Sequence, residues 1–425
     1  MGWIFFVQLV SSGKRMGEWT ASLILLVLLV PVLAGLYGIV RLQGGRLERV
    51  PRLGRWCEPF YEYRFAVPPH GPGRFIMALH LHRLPALFNI LKGDMSFIGP
   101  RVVSPGEISP REHTARKRYN VRPGLVCLWW IRRRANIAYG SEVDADSEYV
   151  DTYSLWGDVG ITLRSIPAIL YGEGVATAPD ELTVLGLPIH NLTMSEAVER
   201  IRRYLEGGAP RQVCFVNADC ANIAYRNAAY RQVLQQAALS LADGIGLKLA
   251  GKLLARDIKQ NVNGTDLFPR LCDMLAQTGA GVYLLGARPG IAGRVRDWML
   301  THYPGIRVCG AHHGYFSPAE EPQVIAHIAG SGAALLLVAF GAPRQDLWIH
   351  QHLRETGAVV AMGVGGLFDF YSGRTPRAPL WLREMGMEWL FRLYKEPRRM
   401  WKRYGIGNAL FLVRVMKEKY LGSVH

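Results

Sequence analysis

Leu241-Ala-Asp-Gly-Ile-Gly-Leu247 ends the short, mostly apolar run 237–241 and opens at once into the helix-like stretch Leu247-Lys-Leu-Ala-Gly-Lys-Leu-Leu254. Strand, glycine-bordered turn and helix, in that order, form the unit from which parallel α/β sheets are assembled. Glycines at such a turn let a ligand approach the backbone. The turn carries one acid, Asp243, whose carboxylate suits a general base acting on a hydroxyl. The same position equally suits a helix cap.

The unit recurs along the second half of the chain. The run 213–216 leads into Asn217-Ala-Asp-Cys-Ala-Asn222, and the run 282–285 leads into Gly286-Ala-Arg-Pro-Gly-Ile-Ala-Gly293 and a helix to Leu300. Residues 334–340 lead into Gly341-Ala-Pro-Arg-Gln-Asp346, and 359–364 into Gly365-Gly-Leu-Phe-Asp-Phe370. This repetition predicts an α/β domain with a mainly parallel sheet and a ligand at the carboxyl ends of its strands. The glycines at 286, 290 and 293 lack dinucleotide-fingerprint spacing, so they imply only a phosphate near a helix N-terminus, with Gly286 a candidate substrate-binding residue. Several such turns on one sheet edge point to a nucleotide-linked substrate. The absence of GxxxxGK[ST] argues against an NTPase.

The chain has 425 residues, a formal charge of +16 and a hydrophobic content of 49%. That length predicts two or three units with ample core. The basic balance calls for an anionic partner: nucleic acid, an acidic membrane face or a phosphorylated substrate. The six cysteines form no CxxC pair and no metal-ligand spacing, so they read as buried thiols in a reducing compartment. Residues 19–40 carry no charge. At about 1.5 Å per residue they reach about 33 Å, enough to cross a bilayer core. Pro31 lies near the middle and kinks such a helix. A straight span, a cleaved signal peptide and a helix that enters and returns on one face all fit this segment. Asp144-Ala-Asp146 imitates a metal-binding pair but reads as a solvated loop, and Arg132-Arg-Arg134 beside Trp129, Trp130 and Tyr139 suits an RNA-stacking surface or a lipid-headgroup contact.

Two resemblances sharpen this picture. Leu84-Pro-Ala-Leu-Phe-Asn-Ile-Leu-Lys-Gly-Asp-Met-Ser-Phe-Ile-Gly-Pro-Arg101, Val121-Arg-Pro-Gly124 and residues 149–166 resemble the bacterial sugar transferases, the monotopic polyprenyl-phosphate phosphoglycosyl transferases. Lys14-Arg15 before a proline-broken apolar helix is similar to that family's opening. The resemblance covers about 14–172 and implies a re-entrant helix with the chain on the cytoplasmic face of a bacterial inner membrane. The family's nucleophilic Asp and neighbouring Glu fall on His82-Arg83 here. A phosphoenzyme mechanism needs a nucleophilic carboxylate, so the fold is expected without its phosphoglycosyl transfer. Pro100-Arg-Val102 and Tyr63-Arg-Phe-Ala-Val67 also depart from that family's pattern.

Asn217-Ala-Asp, Ala242-Asp-Gly-Ile-Gly, Asn263-Gly-Thr-Asp, Gly314-Tyr-Phe, Gly341-Ala-Pro-Arg-Gln-Asp, Gly363-Val-Gly-Gly-Leu-Phe-Asp and Arg377-Ala-Pro resemble the WecG/TagA/CpsF glycosyltransferases, glycosyltransferase family 26. The likeness runs from about 181 to 419. It implies a metal-independent, inverting transfer from a UDP-sugar (UDP-N-acetylmannosamine, UDP-glucose or similar) to a polyprenyl-diphosphate-linked sugar, without a cofactor. The family's catalytic base falls on Asp243. Its substrate-binding positions fall on Asn217, on Asn263, Gly264, Thr265 and Asp266, and on Gly341 and Gln345. Two donor-site positions depart: a family Thr is Phe215 here, and a family Arg is Asn261.

An inverting transfer needs a base for the acceptor hydroxyl and fixed positive charge for the departing diphosphate. Between Arg374 and Lys419 the sequence interleaves basic residues with Trp381, Trp389, Phe391, Tyr394, Trp401 and Tyr404. That pattern suits a membrane-interface helix. The resemblance makes this tail a mobile appendage that lends arginines to the site, with Arg377, Arg392 and Arg398 as candidates. The chain then divides into a membrane helix segment (1–43), a degenerate sugar-transferase-like domain (44–173), a linker (174–180), a glycosyltransferase domain (181–375) and a basic aromatic appendage (376–425). Its expected partners are the UDP-sugar, the lipid-linked acceptor, inner-leaflet lipids and a second copy of itself. Alternatives are a bifunctional enzyme that also moves sugar-1-phosphate, and a non-catalytic scaffold that binds the lipid carrier. Nucleic-acid binding has only charge in its favour.

Overall fold

The computed structural model describes residues 2–68, 70–107, 117–135, 141–171 and 178–422. The chain forms two compact units, one of residues 1–173 with 380–387 and one of residues 174–379 with 388–425. Residues 174–177 of the expected linker lie outside the described residues.

The first unit opens with a helix over Gly2–Leu42 that continues through Pro31. Its stretch Gly13–Leu42 is long and apolar enough to cross a membrane by length and composition. One stripe of this helix faces protein: Lys14, Glu18, Ser22 and Leu26, four residues apart, are buried, as are Leu36 and Val40. The opposite side exposes Leu23, Ile24, Val27, Leu28 and Val30. The buried polar end is satisfied within the unit. Lys14 Nζ lies 2.7 Å from Asp158 and donates to the Ile98 carbonyl at 2.9 Å and the Tyr149 hydroxyl at 3.1 Å. Behind the helix, strands β1 (Arg46–Leu53) and β2 (Pro59–Ala66) pair antiparallel, and β3 (Ser96–Ile98) pairs parallel with β4 (Gly124–Val126).

Two sequence expectations fail in this unit. Asp144-Ala-Asp146 is no solvated loop but the first turns of the helix Glu142–Asp151. Asp144 closes a capping box with Ser141, and Asp146 is buried 2.6 Å from Arg118. Arg132 does not face lipid headgroups. It is buried between Glu148 (2.7 Å) and Glu384 (2.9 Å) on the helix Leu128–Ala135.

The second unit is built on an eight-stranded sheet. Its strands are β5 (Glu181–Val184), β6 (Leu187–His190), β7 (Arg211–Val216), β8 (Leu239–Ala242), β9 (Val282–Gly286), β10 (Val308–His312), β11 (Leu335–Ala339) and β12 (Val360–Gly363). Their spatial order is β10-β9-β11-β12-β7-β8-β6-β5. All neighbours are parallel except the β5–β6 hairpin. The period-two pleat sends Leu335 and Leu337 into one core and Leu336 and Val338 into another. Central strands buried on both faces read as continuous apolar runs, as β9 and β11 do.

The last helix, Gly407–Leu421, is part of this unit's core. Phe411 and Val415, one helical turn apart, are fully buried against Val216, Ala218 and Leu247. Arg414 stacks 4.0 Å over the Tyr225 ring, and Glu418 pairs with Arg256 at 2.9 Å. Residues 407–421 of the expected appendage therefore pack into the core of the second unit.

Candidate active site

Asp243 sits at the carboxyl end of β8 and is half-buried. It does not cap the following helix: Ile245–Leu253 has Gly244 at its N-cap and no side-chain cap bond. Gly244 holds φ +88, a left-handed backbone that glycine adopts without strain. The turn is pinned on both sides. The Asp243 amide donates to the Val216 carbonyl at 2.8 Å, and the Gly244 amide donates to Asn261 Oδ1 at 2.5 Å. Asn261 thus holds the backbone of the turn that carries Asp243, at the position where the resemblance expects a donor-site arginine.

Asn217 ends the adjacent strand β7. Its Oδ1 caps the helix Ala218–Ala224 through the Asp219 and Cys220 amides at 3.1 and 3.0 Å. That fixes the carboxamide so that Nδ2 donates to Asp243 Oδ2 at 3.3 Å. Burial raises the Asp243 pKa, opposed by the Asn217 hydrogen bond and the charges of Arg392 and Arg403, and the net shift is upward. One carboxylate oxygen is held while its basicity is increased, which is what proton abstraction requires.

The neighbouring motif residues divide into two sets. Asn263 caps the helix Gly264–Thr278 by accepting from the Asp266 amide at 2.8 Å. Asp266 in turn holds Arg377 at 2.7 Å, and Thr265 lends its carbonyl to the Tyr371 hydroxyl at 2.8 Å. Gly264 lies against the Phe215 ring, where a Cβ would meet it at 3.4 Å. Gln345 is buried and joins two loops: its Oε1 accepts from the Gly341 amide at 3.0 Å and the Gly365 amide at 2.9 Å. Gly286 is explained by strand packing, since a Cβ there would meet the Ala339 backbone at 2.7 Å. Gln345 and Gly286 shape the strand ends from behind.

The tail supplies the positive charge. Glu388 bridges Arg392 at 2.8 Å and Arg377 at 3.6 Å, and Arg392 stacks 4.8 Å over the Phe370 ring. Arg403, missed in the sequence, pairs with Asp219 at 3.1 Å, while Arg398 is exposed. A π-helical turn over Trp401–Ile406 carries Arg403. Arg377 and Arg392 each keep a buried Nε–H with no acceptor among the described residues.

Residues 182–424 match the Glycosyl transferase WecG/TagA/CpsF family. The chain belongs to this family. It is a glycosyltransferase with a second matched region, because residues 70–172 match the Bacterial sugar transferase family. A relative from Bacillus spizizenii is 32% identical over 200 residues, covering 47% of this chain and 77% of the relative. One from Bacillus subtilis is 27% identical over 238 residues, covering 56% and 91%. One from Staphylococcus aureus (strain MW2) is 28% identical over 243 residues, covering 56% and 93%. Each bears the name N-acetylglucosaminyldiphosphoundecaprenol N-acetyl-beta-D-mannosaminyltransferase.

In this glycosyltransferase the bacterial sugar transferase region holds a buried ion-pair network around Glu62. Arg83 is tied to buried Glu62 at 3.0 Å and donates to the Leu125 carbonyl at 3.0 Å, and Arg52 holds the other Glu62 oxygen at 2.9 Å. Burial raises the Glu62 pKa, but Arg83 and Arg52 more than offset it, so the carboxylate stays below its ordinary range. Burial, with Arg83 and Arg64 nearby, pushes His82 down to about 4. Where the resemblance puts an acidic pair, the chain therefore holds a neutral imidazole and an arginine committed to an internal ion pair.

Proposed function

We propose that this protein is a membrane-tethered, inverting glycosyltransferase that moves N-acetylmannosamine from its UDP-sugar to N-acetylglucosamine on undecaprenyl diphosphate. The relatives' shared name supports the donor sugar and the acceptor. The observation that carries the mechanism is Asp243, oriented by Asn217 at a strand end and faced by arginines with unused buried donors. The acceptor hydroxyl gives its proton to the free oxygen of Asp243 and bonds to the anomeric carbon. The bond from that carbon to the diphosphate oxygen breaks, and its electron pair leaves with UDP. Attack opposite the departing group inverts the anomeric centre. Arg377 and Arg392 stabilise the charge that develops on the diphosphate, using donors that need no rearrangement.

The apolar helix places the catalyst on the cytoplasmic face of the membrane as a re-entrant segment, where the lipid-linked acceptor resides. Tethering both to one surface raises their effective concentration. The bacterial sugar transferase region transfers no sugar phosphate, because His82 and Arg83 stand where that chemistry needs ionised acids.

The test is product analysis on detergent-solubilised full-length protein with a panel of UDP-sugars. Two acceptors are offered: polyprenyl phosphate and polyprenyl-diphosphate-linked N-acetylglucosamine. UDP formed from UDP-N-acetylmannosamine with the second acceptor alone, and lost in Asp243→Asn, is expected. UMP formed with bare polyprenyl phosphate refutes the retired N-terminal chemistry. Normal turnover by Asp243→Asn removes it from the role of base.

A further inference from the structure

The tail of the catalytic unit makes one excursion. After Pro379 the chain contributes residues 380–387 to the first unit and returns to the second at Glu388. The two ends of this loop meet: Arg377 and Glu388 lie 3.6 Å apart, with Arg377 on Asp266 and Glu388 on Arg392. The neck of the loop is thus made of the same groups that carry positive charge to the diphosphate. Its head is the short helix Leu380–Glu384, packed in the first unit against the helices Leu128–Ala135 and Leu155–Tyr171.

The head is fastened by charge. Glu384 is fully buried, with one oxygen 2.9 Å from Arg132 and the other 2.6 Å from Arg164. Arg132 is buried too, and its remaining donors form a forked pair with Glu148 at 2.8 and 2.7 Å. A buried carboxylate divided between two guanidiniums has one low-energy position, and breaking either pair leaves an uncompensated buried charge. Such a group registers a segment more sharply than it stabilises it. Nothing in the sugar-transferase chemistry calls for an acid from the far end of the chain at this place.

We propose that Glu384, Arg132 and Arg164 form a clasp by which the bacterial sugar transferase unit holds the catalytic tail. In this arrangement Glu384 is a positioning residue for glycosyl transfer, acting through the Arg377–Glu388–Arg392 neck. The retired unit then has a second use besides its membrane helix: it fixes the arginines that receive the departing diphosphate. This inference rests on the reading of Asp243 and the arginines given above.

The experiment uses the full chain in detergent and compares wild type, Asp243→Asn, Glu384→Gln and the triple variant Arg132→Met/Arg164→Met/Glu384→Met. The readouts are kcat and donor KM with the lipid-linked acceptor, and melting temperature. Loosened arginines lose most on the extra charge that develops on the leaving oxygen in the transition state, so Glu384→Gln is expected to lower kcat at least tenfold with donor KM within about threefold. The triple variant replaces two buried charges and one partly buried charge by apolar side chains of similar length, which restores a packed clasp. It is expected to recover most of the lost kcat, and it carries the test if Glu384→Gln does not fold. Wild-type kcat in a folded Glu384→Gln, with Asp243→Asn inactive, overturns the clasp and leaves the catalytic reading standing. A triple variant as stable as wild type but without recovered kcat overturns the clasp as well. Equal turnover by wild type and Asp243→Asn overturns the catalytic reading, and the clasp with it.

Discussion

Restoring the acid that the bacterial sugar transferase family carries at position 83 is expected to damage this protein rather than revive it. Arg83 closes an ion pair on Glu62, whose side chain is 2% exposed, against 24% for Arg83 itself. In Arg83→Glu the Glu62 carboxylate keeps Arg52 but gains a like charge in place of its 3.0 Å partner. Removing one partner of a buried pair costs about 3–5 kcal/mol, and the partial exposure of Arg83 favours the lower end. At 1.4 kcal/mol per decade, amides of the β1–β2 hairpin should exchange roughly a hundredfold faster or more in native-state hydrogen exchange, provided they open locally. The pH dependence has a definite sign. Glu62 is held below its ordinary pKa, so its contribution is present above that value and is lost as pH falls through the folded one. In the variant, two adjacent carboxyls share that site and the pKa of one rises. The restored acid would then be protonated more readily and would not return as an ionised carboxylate beside position 82. Glu62→Gln/Arg83→Glu removes the repulsion and should recover much of the protection. Hairpin exchange within threefold of wild type in Arg83→Glu would refute the reasoning.

Other outcomes follow from the second unit. Burial pushes Asp346 up to about 7, against hydrogen bonds from Tyr230, Cys214 and Gln345. From an ordinary value near 3.9, that span is worth at most about 4 kcal/mol. The folded state binds the proton more tightly, so this stability is complete below the unfolded pKa and disappears as pH rises through about 7. Asp346→Asn should therefore gain in melting temperature relative to wild type between pH 5 and pH 8, and a pH-independent difference would contradict it. Asn217→Ala removes the hydrogen bond that lowers the Asp243 pKa. The acid limb of its kcat profile should move to higher pH, and an unmoved limb would separate Asn217 from the base. Phe411→Ala empties a fully buried aromatic site and should cost about 3–5 kcal/mol, read as a lowered melting temperature of the second unit. Arg392→Ala should lower kcat about a hundredfold while leaving that melting temperature within a few degrees, and full activity would exclude it from diphosphate stabilisation.

Much of the sheet was legible because its central strands are buried on both faces. Runs such as 282–285 and 334–340 are apolar at every position, and each is followed by a glycine turn. Strands without that burial went unread. β10 is only half-buried along its length, and the β5–β6 hairpin alternates exposed with buried positions over only four residues per strand. β1 and β2 are interrupted by Arg, Glu and Pro, and one of their directly opposed pairs, Arg64 and Glu48 at 2.5 Å, is ionic. A hydrophobic pattern does not report a strand held in that way.

The site was legible where a motif residue acts through its own backbone turn, and obscure where it acts through a distant partner. Asp243 and Asn217 stand at adjacent strand ends, so one parallel sheet brings them together. The roles of Gln345, Asn261 and Glu384 depend on what lies opposite: two loop amides, one turn amide and two guanidiniums. Those partners lie between 4 and 252 residues away along the chain, and the widest separation belongs to Glu384 and Arg132. In sequence, Arg132-Arg-Arg134 and the basic tail both looked like solvent- or membrane-facing charge. The structure sets an acid of that tail against Arg132, which converts two apparent surface features into one buried contact. Charge composition reveals how many such groups a segment has, but only burial decides whether they meet lipid, substrate or each other.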